Sequence, residues 1–330
     1  MKNKELIKNL VETKKKILVE IEKKIIGQSE VIEEFLVALF SGGHCMIEGV
    51  PGLAKTLVVS TIAQALNIKF SRIQFTPDLM PSDITGTDLL TAGNENEKRH
   101  FEYIKGPIFA NIILADEINR TPPKTQAALL QAMQEYQITA GNITFDLDLP
   151  FLVIATQNPI EQEGTYPLPE AQLDRFMFKI NIGYPSIDEE KEIVRTTTSG
   201  IDKKIEPVLN AQEIVKLQKA IQTIPVPDNV IDFAVKLVRR TRPDNKSAPD
   251  FVRTYINWGA GPRASQYLII GAKTIAALNG RFTPAIADVK RIAKLVLQHR
   301  IQISFAAEAE GFTQEKIIDK LIDNIEEQIK

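Results

Sequence analysis

The sequence has very few of the residues that build covalent or metal-based scaffolds. Its 330 residues include 1 cysteine and 3 histidines. A single thiol cannot form an internal disulfide, and a zinc site built on several cysteines is excluded for the same reason. Three histidines leave little material for a histidine-rich metal site. Because 44% of the residues are apolar, we expect an ordinary hydrophobic core to hold the fold.

Long apolar runs and a large net charge are absent as well. No run approaches the ~20 residues of a membrane-spanning helix, and the lysine-rich residues 1–24 lack the continuous apolar stretch of a secretory signal. The 40 basic and 42 acidic residues give a formal net charge of -2. This balance argues against wholesale electrostatic binding of nucleic acid, although a local basic patch stays open. Together with the lone thiol, these absences predict a cytoplasmic protein without a membrane segment.

The spacing of apolar residues changes along the chain. Between residue 44 and about residue 183, short apolar runs alternate with helical patterns, which is typical of a parallel α/β sheet. Elsewhere the apolar residues recur at helical spacing. We therefore predict an N-terminal helical segment at residues 1–24, an α/β domain at 25–184 and a smaller all-helical domain at 185–330. The predicted strands are Cys45–Ile47, Lys69–Ile73, Ile112–Leu114, Phe151–Ala155 and Phe176–Ile180.

Local signals predict helix starts and two insertions. Thr121-Pro122 and Thr283-Pro284 fit an N-cap followed by a first helical residue, and Ser186 with Glu189 fits a capping box. Two stretches inside the α/β domain, residues 84–104 and 137–149, are predicted to form hairpins. The sequence leaves open whether these are ordinary surface hairpins or contacts to a partner.

A phosphate-binding loop is indicated directly after the first predicted strand, where a glycine-rich segment leads into a helical pattern. Such a loop needs small residues so that backbone N–H groups can face phosphate oxygens, and the helix N-terminus adds partial positive charge. Lys55 would reach the β- and γ-phosphates, and the Thr56 hydroxyl would ligate Mg²⁺. The segment reads Gly49-Val50-Pro51-Gly52-Leu53-Ala54-Lys55-Thr56.

Ala54 departs from the general pattern of such loops, which places glycine before the lysine. Alanine is small and is tolerated at this position if its φ angle is negative. On that condition we retain the phosphate-binding interpretation of the loop.

Two acidic residues end the apolar strand at Ile112–Leu114. Asp116 would hold Mg²⁺ through water, and Glu117 would polarise the attacking water. A carboxylate positioned as a general base contributes roughly 10²–10⁴-fold to a rate. Following a phosphate-binding loop, this pair favours nucleotide hydrolysis over an ordinary solvated turn.

Three further polar residues are candidates with open alternatives. Asn158 ends another apolar strand, where it could orient water against the γ-phosphate or could merely start a turn. Arg175 precedes a strand, and a surface salt bridge is the simpler interpretation. Arg263 opens a helix, where its charge opposes the helix dipole, and a nearby anion would relieve that cost.

Taken in order, these motifs resemble those of the AAA+ ATPases, and their wording is similar to the MoxR branch of that superfamily. The resemblance runs from about residue 25 to about residue 300, and Ala54 is itself similar to the MoxR form of the loop. The AAA+ motifs are Ile26-Gly27-Gln28, residues 49–56, Asp116-Glu117, Asn158, Arg175 and Arg263. The MoxR-like wording is found at residues 49–56, 74–83, 106–111, 115–120, 155–159 and 168–176.

The resemblance implies a P-loop NTPase fold, with a parallel five-stranded sheet between helices followed by a helical lid. It implies ATP and Mg²⁺ as ligands, with Gly27 and Gln28 near the adenine. Asn158 would be sensor 1, and Arg263 would be sensor 2, reaching the nucleotide from the lid. Arg175 would be the arginine finger that acts on ATP bound by the neighbouring subunit. Of the two hairpins, the first would be the insertion within the second helix and the second the insertion before sensor 1.

The resemblance also implies homo-hexameric rings and chaperone-like work on a client protein, often beside a von Willebrand factor A-domain partner. We accordingly predict a cytoplasmic, Mg²⁺-dependent ATPase that remodels, matures or inserts metal into a partner protein. Three alternatives remain: a nucleic-acid motor, a magnesium-chelatase-like motor subunit, and a nucleotide-gated interaction module with negligible turnover. The near-neutral charge counts against the nucleic-acid motor.

Overall fold

The five predicted strands form one parallel sheet. The computed structural model describes residues 2–91, 100–140, 143–158, 164–200 and 203–327. The sheet has the order β2-β5-β8-β1-β9, so the first strand in the chain lies inside the sheet. Its strands are β1 Cys45–Glu48, β2 Phe70–Gln74, β5 Ile112–Asp116, β8 Leu152–Gln157 and β9 Phe178–Asn181.

Helices cover the sheet and continue beyond it. In the α/β region they are α1 Lys2–Glu22, α2 Ser29–Ser41, α3 Lys55–Ala65, α4 Pro81–Thr85, α5 Pro123–Glu135 and α6 Glu170–Leu173, with a 3₁₀ turn at Ile118–Arg120. After the sheet follow α7 Ile187–Thr198, α8 Ala211–Gln222, α9 Asp228–Arg240, α10 Asp250–Tyr255, α11 Pro262–Leu278, α12 Ile286–Leu297, α13 Phe305–Ala309 and α14 Gln314–Glu327. Among the described residues, no helix is both long enough and apolar enough to cross a membrane.

The two faces of the sheet bury different side chains because successive residues of a strand point to opposite faces. Ile112 and Leu114 belong to a core shared with α1–α3 and the helical region, whereas Ile113 and Ala115 belong to a second core with α5. This explains why the strands read as continuous apolar runs rather than as alternating patterns.

The helix predicted for the N-terminal segment is present as α1, and one of its faces is apolar and buried. Leu10, Ile17 and Ile21 are buried, and α1 packs against α3, α8 and α11. The helix therefore contacts both the α/β region and the helical region, which share one continuous core.

Both predicted hairpins are present. Gly86–Thr91 (β3) pairs antiparallel with His100–Lys105 (β4), and Gln137–Ala140 (β6) with Ile143–Asp146 (β7). The segments that join the two strands of each hairpin, residues 92–99 and 141–142, lie outside the described residues. Between the hairpins the ring of Tyr103 stacks on that of Phe145, with 4.7 Å between centroids. The hairpins therefore form one shared surface.

The predicted helix starts are correct in one case and wrong in two. The capping box is present: Glu189 accepts from the backbone N–H of Ser186 at 2.7 Å. Helix α5 begins after Pro122 rather than after Thr121, because Pro123 disfavours helical geometry at the residue before it. Helix α12 begins at Ile286, where Asp288 accepts from the N–H of Ala285 at 2.7 Å.

The helical region also contains a short antiparallel pair that was not predicted. Ile256–Trp258 (β10) pairs with Gln302–Ile303 (β11). Segments of two and three residues carry no recognisable periodicity, so the sequence could not indicate them.

Candidate nucleotide-binding site

A cleft at the carboxyl ends of the central strands brings together the loop after β1, the acidic pair after β5 and the asparagine after β8. It has a volume of about 490 Å³. Such an edge is where ligands bind in open α/β sheets. The lining residues are Pro51, Gly52, Leu53, Ala54, Lys55, Thr56, Leu57, Arg72, Asp116, Glu117, Thr156 and Asn158.

Glycine is required at Gly49 and at Gly52 for different physical reasons. A Cβ on Gly49 would lie 2.7 Å from the carbonyl oxygen of Ile182, so this position requires a close backbone approach. Gly52 has a φ of +86°, with open space around a Cβ, so its requirement is conformational. The loop ends at Lys55, the first residue of α3. The N-terminus of α3 therefore points its partial positive charge at the cleft.

The negative φ expected for Ala54 is not observed. Its φ is +54°, in the left-handed region, and it forms the N-cap of α3. A non-glycine residue in this region costs ~1–2 kcal/mol because its Cβ crowds the following carbonyl oxygen. The loop thus holds backbone strain directly before the lysine.

Lys55 lies inside the curve of the loop. Its Nζ donates to the carbonyl oxygen of Gly49. Burial lowers the pKa of Lys55, although the nearby charges of Asp116, Glu117 and Glu48 oppose this shift. Burial without a ligand therefore disfavours the charged form of Lys55, and a polyanion bound beside it would stabilise that charged form.

Asp116 is held from two neighbouring strands. Its Oδ1 accepts from the Thr156 hydroxyl at 2.6 Å, and its Oδ2 accepts from the Arg72 guanidinium at 2.6 and 3.1 Å. Thr156 also accepts from the backbone N–H of Glu117 at 2.8 Å. One hydroxyl thus fixes both members of the acidic pair.

Glu117 has a left-handed φ of +56°, and its carboxylate is held by two side chains. Its Oε2 accepts from the amide of Gln74 at 3.0 Å and from the guanidinium of Arg120 at 3.0 Å. Gln74 lies directly opposite Asp116 in the β2–β5 register. Two donors thus fix the orientation of this carboxylate in the cleft that the phosphate-binding loop also lines.

No role in the site was predicted from the sequence for Arg72, Gln74 or Thr156, although Gln74 and Thr156 lie in the MoxR-like stretches 74–83 and 155–159. Their position in the sequence could have indicated them, because each is a polar residue among the last three residues of a sheet strand. In a parallel sheet such residues meet at one edge, so that rule could have found them.

Asn158 lies where the sequence placed it. It follows β8, is 8% exposed and lines the same cleft as Lys55, Thr56 and Asp116.

The adenine candidates are not among the residues that line the cleft. Gly27 has a φ of +70°, and a Cβ there would lie 2.1 Å from Oε1 of Glu189. Gln28 is the N-cap of α2 and has a φ of +56°. Its Oε1 is buried and has no hydrogen-bond partner among the described residues. This oxygen could therefore accept a hydrogen bond from the amino group of a ligand.

The two arginines lie apart from the cleft of their own chain. Arg175 donates to the carbonyl oxygen of Leu130 at 2.7 Å. Arg263, expected to reach the nucleotide from the helical region, instead pairs with Asp174 at 3.0 Å. Asp174 is thus the anion that relieves the unfavourable charge at the start of α11.

The donor set of the cleft fits a nucleotide with Mg²⁺. Hydroxyl and carboxylate oxygens are the ligands that Mg²⁺ prefers, and Thr56 and Asp116 supply them. A loop of backbone N–H groups, a helix N-terminus and a lysine together suit a triphosphate.

Comparison with known proteins identifies the class. Residues 44–178 match the profile of the ATPase family associated with various cellular activities (AAA), and residues 250–321 match the AAA lid domain. With the fold and the cleft, these matches define an ATP-hydrolysing enzyme of the AAA+ class, consisting of an α/β domain and a helical lid.

Individual relatives narrow this class. The chain is 42% identical to the protein named Chaperone MoxR1 of Mycobacterium tuberculosis, covering 96% of this chain and 82% of that one. It is 39% identical to the uncharacterised protein YeaC of Bacillus subtilis, covering 92% of each. A crystal structure of a candidate ATPase from Cytophaga hutchinsonii superposes with a TM-score of 0.89 at 41% identity, covering 97% and 96%. The chain belongs to the MoxR family of AAA+ ATPases.

Proposed function

We propose that this chain is a Mg²⁺-dependent ATPase that works as a cytoplasmic homo-hexamer. It couples ATP hydrolysis to the remodelling of a protein client. The observation that carries the catalytic part is the cleft itself. It brings together residues 51–56 of the loop, Asp116, Glu117 and Asn158, which follow three strands far apart in sequence. The name of the M. tuberculosis relative, a chaperone, supports a protein client.

In the proposed mechanism, residues 49–56 bind the triphosphate through backbone N–H groups, and Lys55 neutralises the β- and γ-phosphates. Thr56 and Asp116 would hold Mg²⁺, which supplies charge neutralisation between the phosphates. Glu117 takes the proton of the attacking water, with Gln74 and Arg120 setting the direction of its carboxylate. Asn158 orients that water at the end of β8.

The remaining roles are proposed for residues that lie outside the cleft of their own chain. Arg175 and Arg263 line no part of the cleft of their own chain, which supports a site completed between subunits. Arg175 would then act as the arginine finger on the nucleotide of the neighbouring subunit, and Arg263 would be sensor 2, reaching a nucleotide from the lid. Gly27 and Gln28 would face the adenine from the start of α2.

We also propose that the chain divides into an N-terminal helical segment at residues 1–24, an α/β domain at 25–184 and a helical lid at 185–330. A von Willebrand factor A-domain protein is the proposed partner.

The test uses Glu117→Gln, which keeps the shape of the side chain but removes the base. We expect retained ATP affinity and a kcat lowered about 10²–10⁴-fold. Glu5→Gln is the matched control, since Glu5 is exposed on α1 and lines neither the cleft nor the surface around Arg175. Unchanged turnover in Glu117→Gln would refute the role of Glu117. Turnover that rises with DNA and falls with salt would instead favour the nucleic-acid motor.

A further inference from the structure

Four consecutive backbone carbonyls around Arg175 are held by side chains of the helical region. The carbonyl oxygens of Asp174, Phe176 and Met177 accept from Arg300 at 2.9, 2.5 and 3.3 Å. The carbonyl oxygen of Arg175 accepts from the Tyr267 hydroxyl at 3.2 Å. Residues 174–177, which we call the finger segment, are therefore fixed by side chains that lie more than ninety residues away in the sequence.

Arg300 is the centre of this arrangement. Its side chain is 2% exposed, and its Nε donates to Oδ1 of Asp174 at 2.8 Å. Its guanidinium also lies 5.1 Å from the centroid of the Tyr267 ring. A guanidinium can serve several acceptors in a fixed planar geometry, whereas an ammonium is a single point charge. The site therefore uses a property that lysine lacks.

Asp174 connects this arrangement to the start of α11. Its second oxygen, Oδ2, accepts from Arg263 at 3.0 Å, so one carboxylate joins two arginines of the helical region. The side chain of Arg175 extends in another direction, to the carbonyl oxygen of Leu130 in α5. The backbone of Arg175 is thus set by the helical region while its guanidinium lies on the surface of the α/β region.

We propose that Arg300 and Tyr267 are positioning residues for Arg175, and that they couple the helical region of one subunit to hydrolysis in the next. This proposal rests on the proposed function, in which Arg175 acts on the neighbouring nucleotide. An arginine finger contributes about 10³–10⁵-fold to a rate, and a misplacement of ~1 Å can cost 10²-fold. A finger segment released by the helical region would lose part of this gain.

The experiment separates the two subunits that form each shared site. Glu117→Gln subunits keep Arg175 but lack the base, and Arg175→Ala subunits keep the base but lack the finger. Mixed before assembly, they should recover turnover that neither has alone, because Glu117→Gln subunits donate fingers to Arg175→Ala sites. No recovery would overturn the shared site and the positioning role together.

Arg300→Lys is then placed in either the donor or the acceptor subunit. In the donor we expect kcat of the mixture to fall about tenfold or more with unchanged KM for ATP, because the finger is displaced. In the acceptor, whose own finger is already absent, we expect recovery close to that of the parent mixture. Recovery with equal losses in both placements, or with none, would overturn the positioning role alone.

Tyr267→Phe keeps the test decisive if Arg300→Lys does not fold. It removes only the hydroxyl that donates to Arg175, and we expect the same asymmetry with a loss of about threefold. Arg281→Lys and Tyr255→Phe are matched controls, because these side chains bind Asp288 and Glu310 in the same helical region. Asymmetry in the controls equal to that of the test variants would also overturn the proposal.

Discussion

The side-chain amide of Gln74 donates a hydrogen bond of 3.0 Å to the carboxylate of Glu117. Gln74 ends β2 and Glu117 directly follows the neighbouring parallel strand β5, and the β2–β5 register places Gln74 opposite Asp116. The orientation of the proposed base therefore depends on β2, a strand to which the sequence assigned no role in the site.

Replacing Gln74 by glutamate tests this dependence. A second carboxylate cannot donate to Glu117 and repels it, so we expect a displaced base and a kcat lowered roughly ten- to hundredfold, with KM for ATP little changed. Steady-state ATPase kinetics measure the split. Gln64→Glu makes the same charge change at an exposed position of α3 and should leave kcat intact. An unchanged or raised kcat in Gln74→Glu would contradict the prediction.

Ala54→Gly should relieve backbone strain. At a φ of +54°, glycine avoids the ~1–2 kcal/mol that alanine costs, and loses part of this gain through greater freedom of the unfolded chain. We expect a net stabilisation of up to about 1 kcal/mol, seen as a higher midpoint of thermal unfolding. Ala127→Gly, in the exposed interior of α5, should instead destabilise by about 1 kcal/mol. Destabilisation at both positions would show that Ala54 is unstrained.

Lys55→Met should separate stability from binding. Burial lowers the pKa of Lys55, so the folded apo protein disfavours its charge, and a neutral side chain should raise the apo melting temperature. The same change removes the main cation for the phosphates, so the stabilisation by MgATP should disappear. Thermal unfolding with and without MgATP tests both.

Lys273→Met is the control for this variant. Burial also lowers the pKa of Lys273, but this residue lies on α11 and donates to the carbonyl oxygen of Gln222. We expect a similar rise in the apo melting temperature with the MgATP response intact. Retained MgATP stabilisation in Lys55→Met would contradict the proposed phosphate contact.

His44 predicts a pH dependence of folding. It accepts from the N–H of Val153 at 3.0 Å, lies 3.1 Å from the carbonyl oxygen of Met133, and burial lowers its pKa to about 4. The folded state thus favours the neutral ring, and stability present above pH 6.5 is lost as the pH falls toward 4. The loss is on the order of 3 kcal/mol.

His44→Gln should reduce this slope in urea-unfolding experiments between pH 4 and 7. Glu34→Gln gives the opposite change: burial and Glu30 raise the pKa of Glu34 to about 7, so ionisation of Glu34 opposes folding as the pH rises. The variant should therefore show a steeper gain of stability with pH. An unchanged slope in His44→Gln would mean that this ring is not the titrating group.

The strands and the phosphate-binding loop could be predicted because their signals are local. Continuous apolar runs mark strands buried on both faces, and a glycine-rich turn before a helix marks the loop. Helix starts were predicted less accurately, because a second proline, Pro123, shifts the start of α5 by one residue. The left-handed φ of Ala54 could not be predicted, because residue size alone does not determine the conformation that a loop imposes.

The sequence by itself determined the order of elements and the residues that end each central strand, since apolar periodicity and turn chemistry act between near neighbours. Only the tertiary structure decided the partners of those residues. Asp116 binds Arg72 and Thr156, each at least 40 positions away, and Arg263 binds Asp174 rather than facing the cleft of its own chain. Such contacts depend on strand register and on how the helical region packs against the sheet, and neither of these is written in any short stretch of residues.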